Sequence, residues 1–84
     1  MQKKSKEQKV YDNAFGLYIK KKRVKMGWTQ ADLASRIGNN AQNISSLERG
    51  EFSPTLFSVH KLADAFDLPL NVFLRGFKFS ERET

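Results

Sequence analysis

Cysteine is absent from the 84 residues, and histidine occurs once, as His60. The first absence excludes disulfides, thiolate metal sites, iron–sulfur clusters and cysteine nucleophiles. The second removes paired histidine ligands and leaves little material for general-base chemistry. No apolar run approaches the roughly 18 residues needed to cross a bilayer. The opening Met1-Gln2-Lys3-Lys4-Ser5-Lys6 has none of the apolar stretch of a secretory leader, so a soluble, cytoplasmic chain is expected. Internal repeats are lacking, carboxylates are scattered, and no Ser-His-Asp set or glycine-rich phosphate loop can be drawn. An enzyme is therefore not expected, and neither is a cofactor or a metal.

What is present suits one small domain. Hydrophobic residues make up 39% of the chain, seven of them Phe, enough to close a helical core at this length. The charge is one-sided. Nine of the fifteen basic residues fall within residues 1–28, opposed there only by Glu7 and Asp12. The remaining 56 residues carry six basic and seven acidic side chains, so the whole net charge of +6 originates in the first third. Such a region suits a polyanion, either nucleic acid or an anionic membrane surface; a merely solubilising face explains it equally well.

Punctuation divides the chain into short helices. Residues 1–9 are lysine-rich without periodicity and read as a flexible basic arm. From Val10 to Met26, the residues Tyr11, Phe15, Ile19 and Met26, with Leu17, Tyr18 and Val24, follow helical spacing up to a terminating Gly27. Thr29 is a good N-cap for a helix ending near Gly38, with Asp32 placed favourably in its first turn. Asn39-Asn40 caps a helix from Ala41 to Arg49, closed by Gly50. Ser53-Pro54-Thr55 opens a fourth helix with Leu56, Val59, Leu62, Ala63 and Phe66 on one side. Asp67-Leu68-Pro69 breaks it, and Leu70 to Arg75 forms a fifth. Gly76-Phe77-Lys78-Phe79-Ser80 alternates and reads as a strand or as no regular element. The expected fold is all-α, a compact bundle of five helices.

The second and third helices, joined by Gly38-Asn39-Asn40, outline a helix-turn-helix, whose second helix enters the DNA major groove. Helical spacing turns Ala41, Ile44 and Leu47 inward, and Gln42, Asn43, Ser46 and Arg49 outward. Gln and Asn can pair with an adenine edge, and Arg with guanine or a phosphate. A solvated helix face would look the same.

Gly27-Trp28-Thr29-Gln30-Ala31-Asp32-Leu33-Ala34-Ser35-Arg36-Ile37-Gly38 resembles the opening of the Cro/lambda-repressor-like, XRE-type DNA-binding domain. Ile44-Ser45-Ser46-Leu47-Glu48-Arg49-Gly50 resembles its close, and Ser53-Pro54-Thr55 with Leu62 to Pro69 its fourth helix. The resemblance spans about residues 14–75. It implies a lambda-repressor-like fold over 10–75 and a sequence-specific transcriptional regulator that binds double-stranded DNA as a homodimer. Carried over residue by residue, it implies base reading by Asn40, Gln42, Asn43 and Ser46. It implies phosphate contact by Thr29, Gln30, Arg49 and Ser53, while Lys20, Lys21 and Lys25 at the end of the first helix lie near the backbone. It further implies a buried ion pair between Arg23, four residues before Gly27, and Glu48. Three positions depart from the pattern: Ala41 where a polar contact is common, Lys22 where many members are apolar, and Trp28 where Leu is usual. As the sole Trp, Trp28 reads as a partly buried core or rim residue.

Phe73, Leu74, Phe77 and Phe79, with Val72, concentrate apolar side chains at one end, so a dimer interface is expected there, with the tail 76–84 taking part. The rival is that these rings close the core of the single chain. Two other functions stay open: a protein-binding adaptor or antitoxin-type component using that apolar end, and a membrane-surface or non-specific polyanion binder.

Overall fold

The computed structural model describes residues 4–79, which form five helices and no strand. They are α1 (Lys6–Lys25), α2 (Gln30–Arg36), α3 (Ala41–Glu48), α4 (Leu56–Ala65) and α5 (Leu70–Arg75). Local chemistry explains where four of them start. The Ser5 hydroxyl accepts from the Gln8 amide, Asn40 Oδ1 from Asn43, and Thr55 Oγ1 from Ser58. At α2 the capping is reciprocal: Thr29 Oγ1 accepts from the Asp32 amide at 3.0 Å, and Asp32 Oδ2 from the Thr29 amide at 2.9 Å. Each cap satisfies donors that a helix start otherwise leaves open, worth about 1 kcal/mol. At α5, Pro69 occupies the cap position and no side chain caps the helix.

Helix α1 begins at Lys6, four residues before the expected Val10, because Ser5 caps it and Lys4 is tied down. Lys4 Nζ donates to Asp12 Oδ2 at 2.7 Å and to the Gly50 carbonyl at 3.1 Å. Residues 4–9 are thus part of the folded domain and not a flexible arm; residues 1–3 lie outside the described part. The inward stripe of α1 also differs from the expected one. It consists of Asp12, Phe15, Gly16, Ile19 and Arg23. Tyr11, Leu17, Val24 and Met26 are exposed. Apolar spacing misplaced the stripe because a carboxylate and a guanidinium, each paired, occupy its two ends.

The core gathers Phe15 and Ile19 of α1, Leu33 and Ala34 of α2, Ile44 and Leu47 of α3, Leu62 and Ala63 of α4, and Phe73 of α5, with Ile37 and Phe66 closing helix ends. Burying each larger side chain contributes about 1.5–3 kcal/mol. Trp28 is half-buried, stacked on Phe66 with centroids 5.5 Å apart, and Arg36 lies 4.0 Å above its ring. Two glycines set how closely α1 meets α3. A Cβ on Gly16 would lie 2.4 Å from the Leu47 carbonyl oxygen and 2.6 Å from that of Glu48. Gly50 turns the chain out of α3 with φ +74°, and a Cβ there would meet Asn13 at 2.1 Å.

Segment 76–79 is not a strand. Phe77 folds back onto α1, its ring 5.3 Å from Tyr11, 5.2 Å from Phe15 and 5.5 Å from Tyr18. Phe79 meets Tyr11 edge-on at 4.9 Å. Phe73, expected at a dimer interface, is 0% exposed and packs against Phe15 and Tyr18. That expectation is corrected for Phe73: its area is consumed inside the single chain. Leu74 remains 38% exposed, and Phe77 and Phe79 are half-buried against α1. Residues 80–84 of the tail lie outside the described part.

Candidate nucleic-acid interface

Helices α2 and α3 pack together as the helix-turn-helix, with α1 bracing α3 from behind. The brace is electrostatic at its centre. Arg23 Nε donates to Glu48 Oε2 at 2.6 Å and Arg23 Nη2 to Glu48 Oε1 at 3.0 Å, with the two side chains only 10% and 3% exposed. Arg23 Nη1 donates to the Trp28 carbonyl at 2.8 Å. Gln30 Nε2 adds a third donated bond to Glu48, at 3.0 Å to Oε1. This network joins the end of α1, the start of α2 and the end of α3. The hydrogen bonds to Glu48 raise the Arg23 pKa above its ordinary value, outweighing the opposing effect of burial. A paired, bidentate guanidinium in this position fixes the tilt of α3.

Outside that brace the chain forms a shallow notch lined by Gln30, Ala41, Gln42, Ser45 and Arg49. It offers two amides, a hydroxyl and a guanidinium on one side of α3. Arg49 is held within it: Nε donates to Glu51 Oε2 at 2.7 Å and Nη1 donates to Ser45 Oγ. Hydrogen bonds from Arg49, and then from Ser46, lower the Glu51 pKa. The apolar floor of a second groove, lined by Ile37, Ile44, Leu47, Phe52 and Pro54, lies on the other flank of α3, with Asn39, Asn43, Ser53, Thr55 and Ser58 around it.

The expected base readers are therefore spread around the helix. Gln42 is exposed in the notch. Asn43 is exposed on the opposite flank, its Nδ2 donating to Asn39 Oδ1 at 2.7 Å. Asn40 uses its side-chain oxygen to cap α3. Ser46 is half-buried, and its carbonyl accepts from the Glu51 amide at 3.0 Å. Ser45 was missed. Its signal was legible, because it lies three residues after Gln42 and four before Arg49, the spacing of helix neighbours.

Of the expected phosphate contacts, Thr29 caps α2 and Gln30 is half-buried on Glu48. Ser53 is exposed, but its hydroxyl donates to the Asp12 carboxylate, with both oxygens at 2.7 Å, and accepts from Gln8 Nε2 at 2.6 Å. Asp12, buried and absent from the expected site residues, thereby ties the α3–α4 connection to α1. Lys20, Lys21 and Lys25 are exposed and make no ion pair among the described residues. Those residues also contain no His, Cys, Asp and Glu cluster able to hold a metal, and no helix long and apolar enough to cross a membrane.

A braced helix pair with a polar outer face defines a helix-turn-helix module, and the family model for such modules matches residues 19–73. The chain belongs to this XRE-type family of helix-turn-helix DNA-binding transcription regulators. It is similar to an uncharacterized HTH-type transcriptional regulator of Methanothermobacter thermautotrophicus, 43% identical over 47 residues, covering 56% of this chain and 68% of the relative. Two such regulators of Archaeoglobus fulgidus also match. One is 35% identical over 66 residues, covering 77% of this chain and 87% of the relative. The other is 37% identical over 49 residues, covering 58% and 70%.

Proposed function

We propose that the protein binds operator DNA as a homodimer in the cytoplasm, each copy laying α3 in the major groove with Gln42 reading a base edge. The notch carries this reading: one exposed face of a helix held rigidly by Arg23–Glu48, with Gln30, Gln42, Ser45 and Arg49 converging on it. Asn43 flanks the groove on the other side and reads a neighbouring base once its bond to Asn39 is exchanged for one to DNA. Asn40 and Ser46 support those contacts through the cap and the loop. Thr29, Gln30, Ser53, Lys20 and Lys25 serve the phosphates. That role gives affinity and register without sequence information.

A single recognition helix reads too few base pairs for a useful specificity ratio, which supports a two-fold dimer. With Phe73 internal, the surface left for it at α5 is Val72 and Leu74, both about two-fifths exposed, beside the Phe77 and Phe79 segment. Selection of bound duplexes from a random pool should return a two-fold symmetric site. Gln42→Ala should then relax preference at one position in each half-site, by about 1–3 kcal/mol for a lost bidentate pair. Light scattering at micromolar concentration should give twice 9.7 kDa. A mass that stays at the single-chain value with DNA added would remove the dimer.

A further inference from the structure

We infer that Glu51 is a positioning residue of the DNA interface, which together with Ser45 fixes Arg49 so that only one edge of its guanidinium is offered to DNA. The inference rests on the notch facing DNA and goes beyond it by assigning a role to an acidic residue on a basic surface. A guanidinium has five N–H groups. In Arg49 the Nε–H is used on Glu51 at 2.7 Å and one Nη1–H on Ser45. What remains free is the terminal fork, with both Nη2 hydrogens and one on Nη1. A fork held in this way fits a pair of adjacent acceptors, such as O6 and N7 of guanine or two oxygens of one phosphate. Glu51 is itself steadied, since its backbone amide donates to the Ser46 carbonyl at 3.0 Å. Both side chains of the pair are half exposed, at 54% and 51%, so the clamp adds little to folding and its effect falls on how Arg49 meets a ligand.

Fixing an arginine matters differently for the two kinds of complex. On random duplex most of the affinity comes from neutralising phosphates, which a mobile side chain serves best. In a seated complex the acceptor pair has one position, and a pre-aimed fork loses less freedom in reaching it.

The test compares wild type and Glu51→Gln on the duplex selected from a random pool and on a random-sequence duplex, with the salt dependence of each. Expected for Glu51→Gln is a fall of about two- to fivefold in the selected-to-random affinity ratio, the range an exposed ion pair covers. The salt slope on random duplex should steepen by about one contact. The thermal midpoint should not move. Base preferences of the variant separate the two acceptor sources: a relaxed guanine position identifies a base edge, and an unchanged pattern identifies phosphate. An unchanged ratio and slope would overturn the inference, as would the same fall in an Arg49→Gln background. A wild-type protein that selects no duplex would instead remove the DNA reading on which the inference rests.

Discussion

Replacing Glu48 by Gln should remove a large part of the protein's stability. Glu48 receives three donated bonds, two from Arg23 and one from Gln30, in a site where its side chain is 3% exposed. A glutamine keeps one acceptor oxygen and replaces the other with an NH₂, which then faces the donors of Arg23 or Gln30. Arg23 keeps its charge at neutral pH but loses its countercharge and one of its two carboxylate acceptors, and is left with the amide oxygen and the Trp28 carbonyl at 2.8 Å. Stranding a buried guanidinium in this way costs about 3–5 kcal/mol. A domain of this length has roughly 4–13 kcal/mol in total. Urea titration followed by fluorescence of Trp28, which is stacked on Phe66, reads the loss directly. The Arg23→Met, Glu48→Leu double variant should recover much of the stability while weakening DNA binding, because the apolar pair fills the volume without fixing the angle of α3. A Glu48→Gln midpoint shifted by less than about 1 kcal/mol, the worth of an exposed pair, would refute the reasoning.

Three further outcomes are expected. Gly16→Ala places a methyl group 2.4 Å from the Leu47 carbonyl oxygen, so α1 and α3 must separate, at a cost of about 1–3 kcal/mol and with amide shifts along α3 in NMR spectra. Phe73→Ala, at a fully buried ring, should cost about 3–5 kcal/mol, whereas Phe57→Ser, at a ring 71% exposed, should stay within about 0.5 kcal/mol; equal losses would contradict the placement of the core. The Asp32 carboxyl is lowered by its hydrogen bonds to the Thr29 backbone and hydroxyl. Its capping contribution is complete above the ordinary carboxylate range and is lost as pH falls through the depressed value, so Asp32→Asn should flatten that part of an acid titration of stability.

Helix boundaries were largely legible because caps and stops are local. Thr29 with Asp32, Asn40 with Asn43, and Thr55 with Ser58 each act over three residues, so spacing along the chain is spacing in space. The start of α1 is local in the same way, through Ser5 and Gln8, but a run of lysines hid it. The Arg23–Glu48 pairing spans 25 residues and was expected only through resemblance to a family. Tertiary packing alone decided the rest. Asp12 looks like a surface residue of a polar helix until Ser53, 41 residues away, and Lys4 close over its carboxylate. Phe73 looks like an interface residue until α5 turns it onto Phe15 and Tyr18. Gln42 and Asn43 adjoin in sequence, yet a rotation of about 100° per residue places one in the notch and the other on the opposite flank. Sequence determined where helices begin and which carry charge; the rotation and approach of each helix, which no local interaction encodes, determined which charges are buried and which amides face outward.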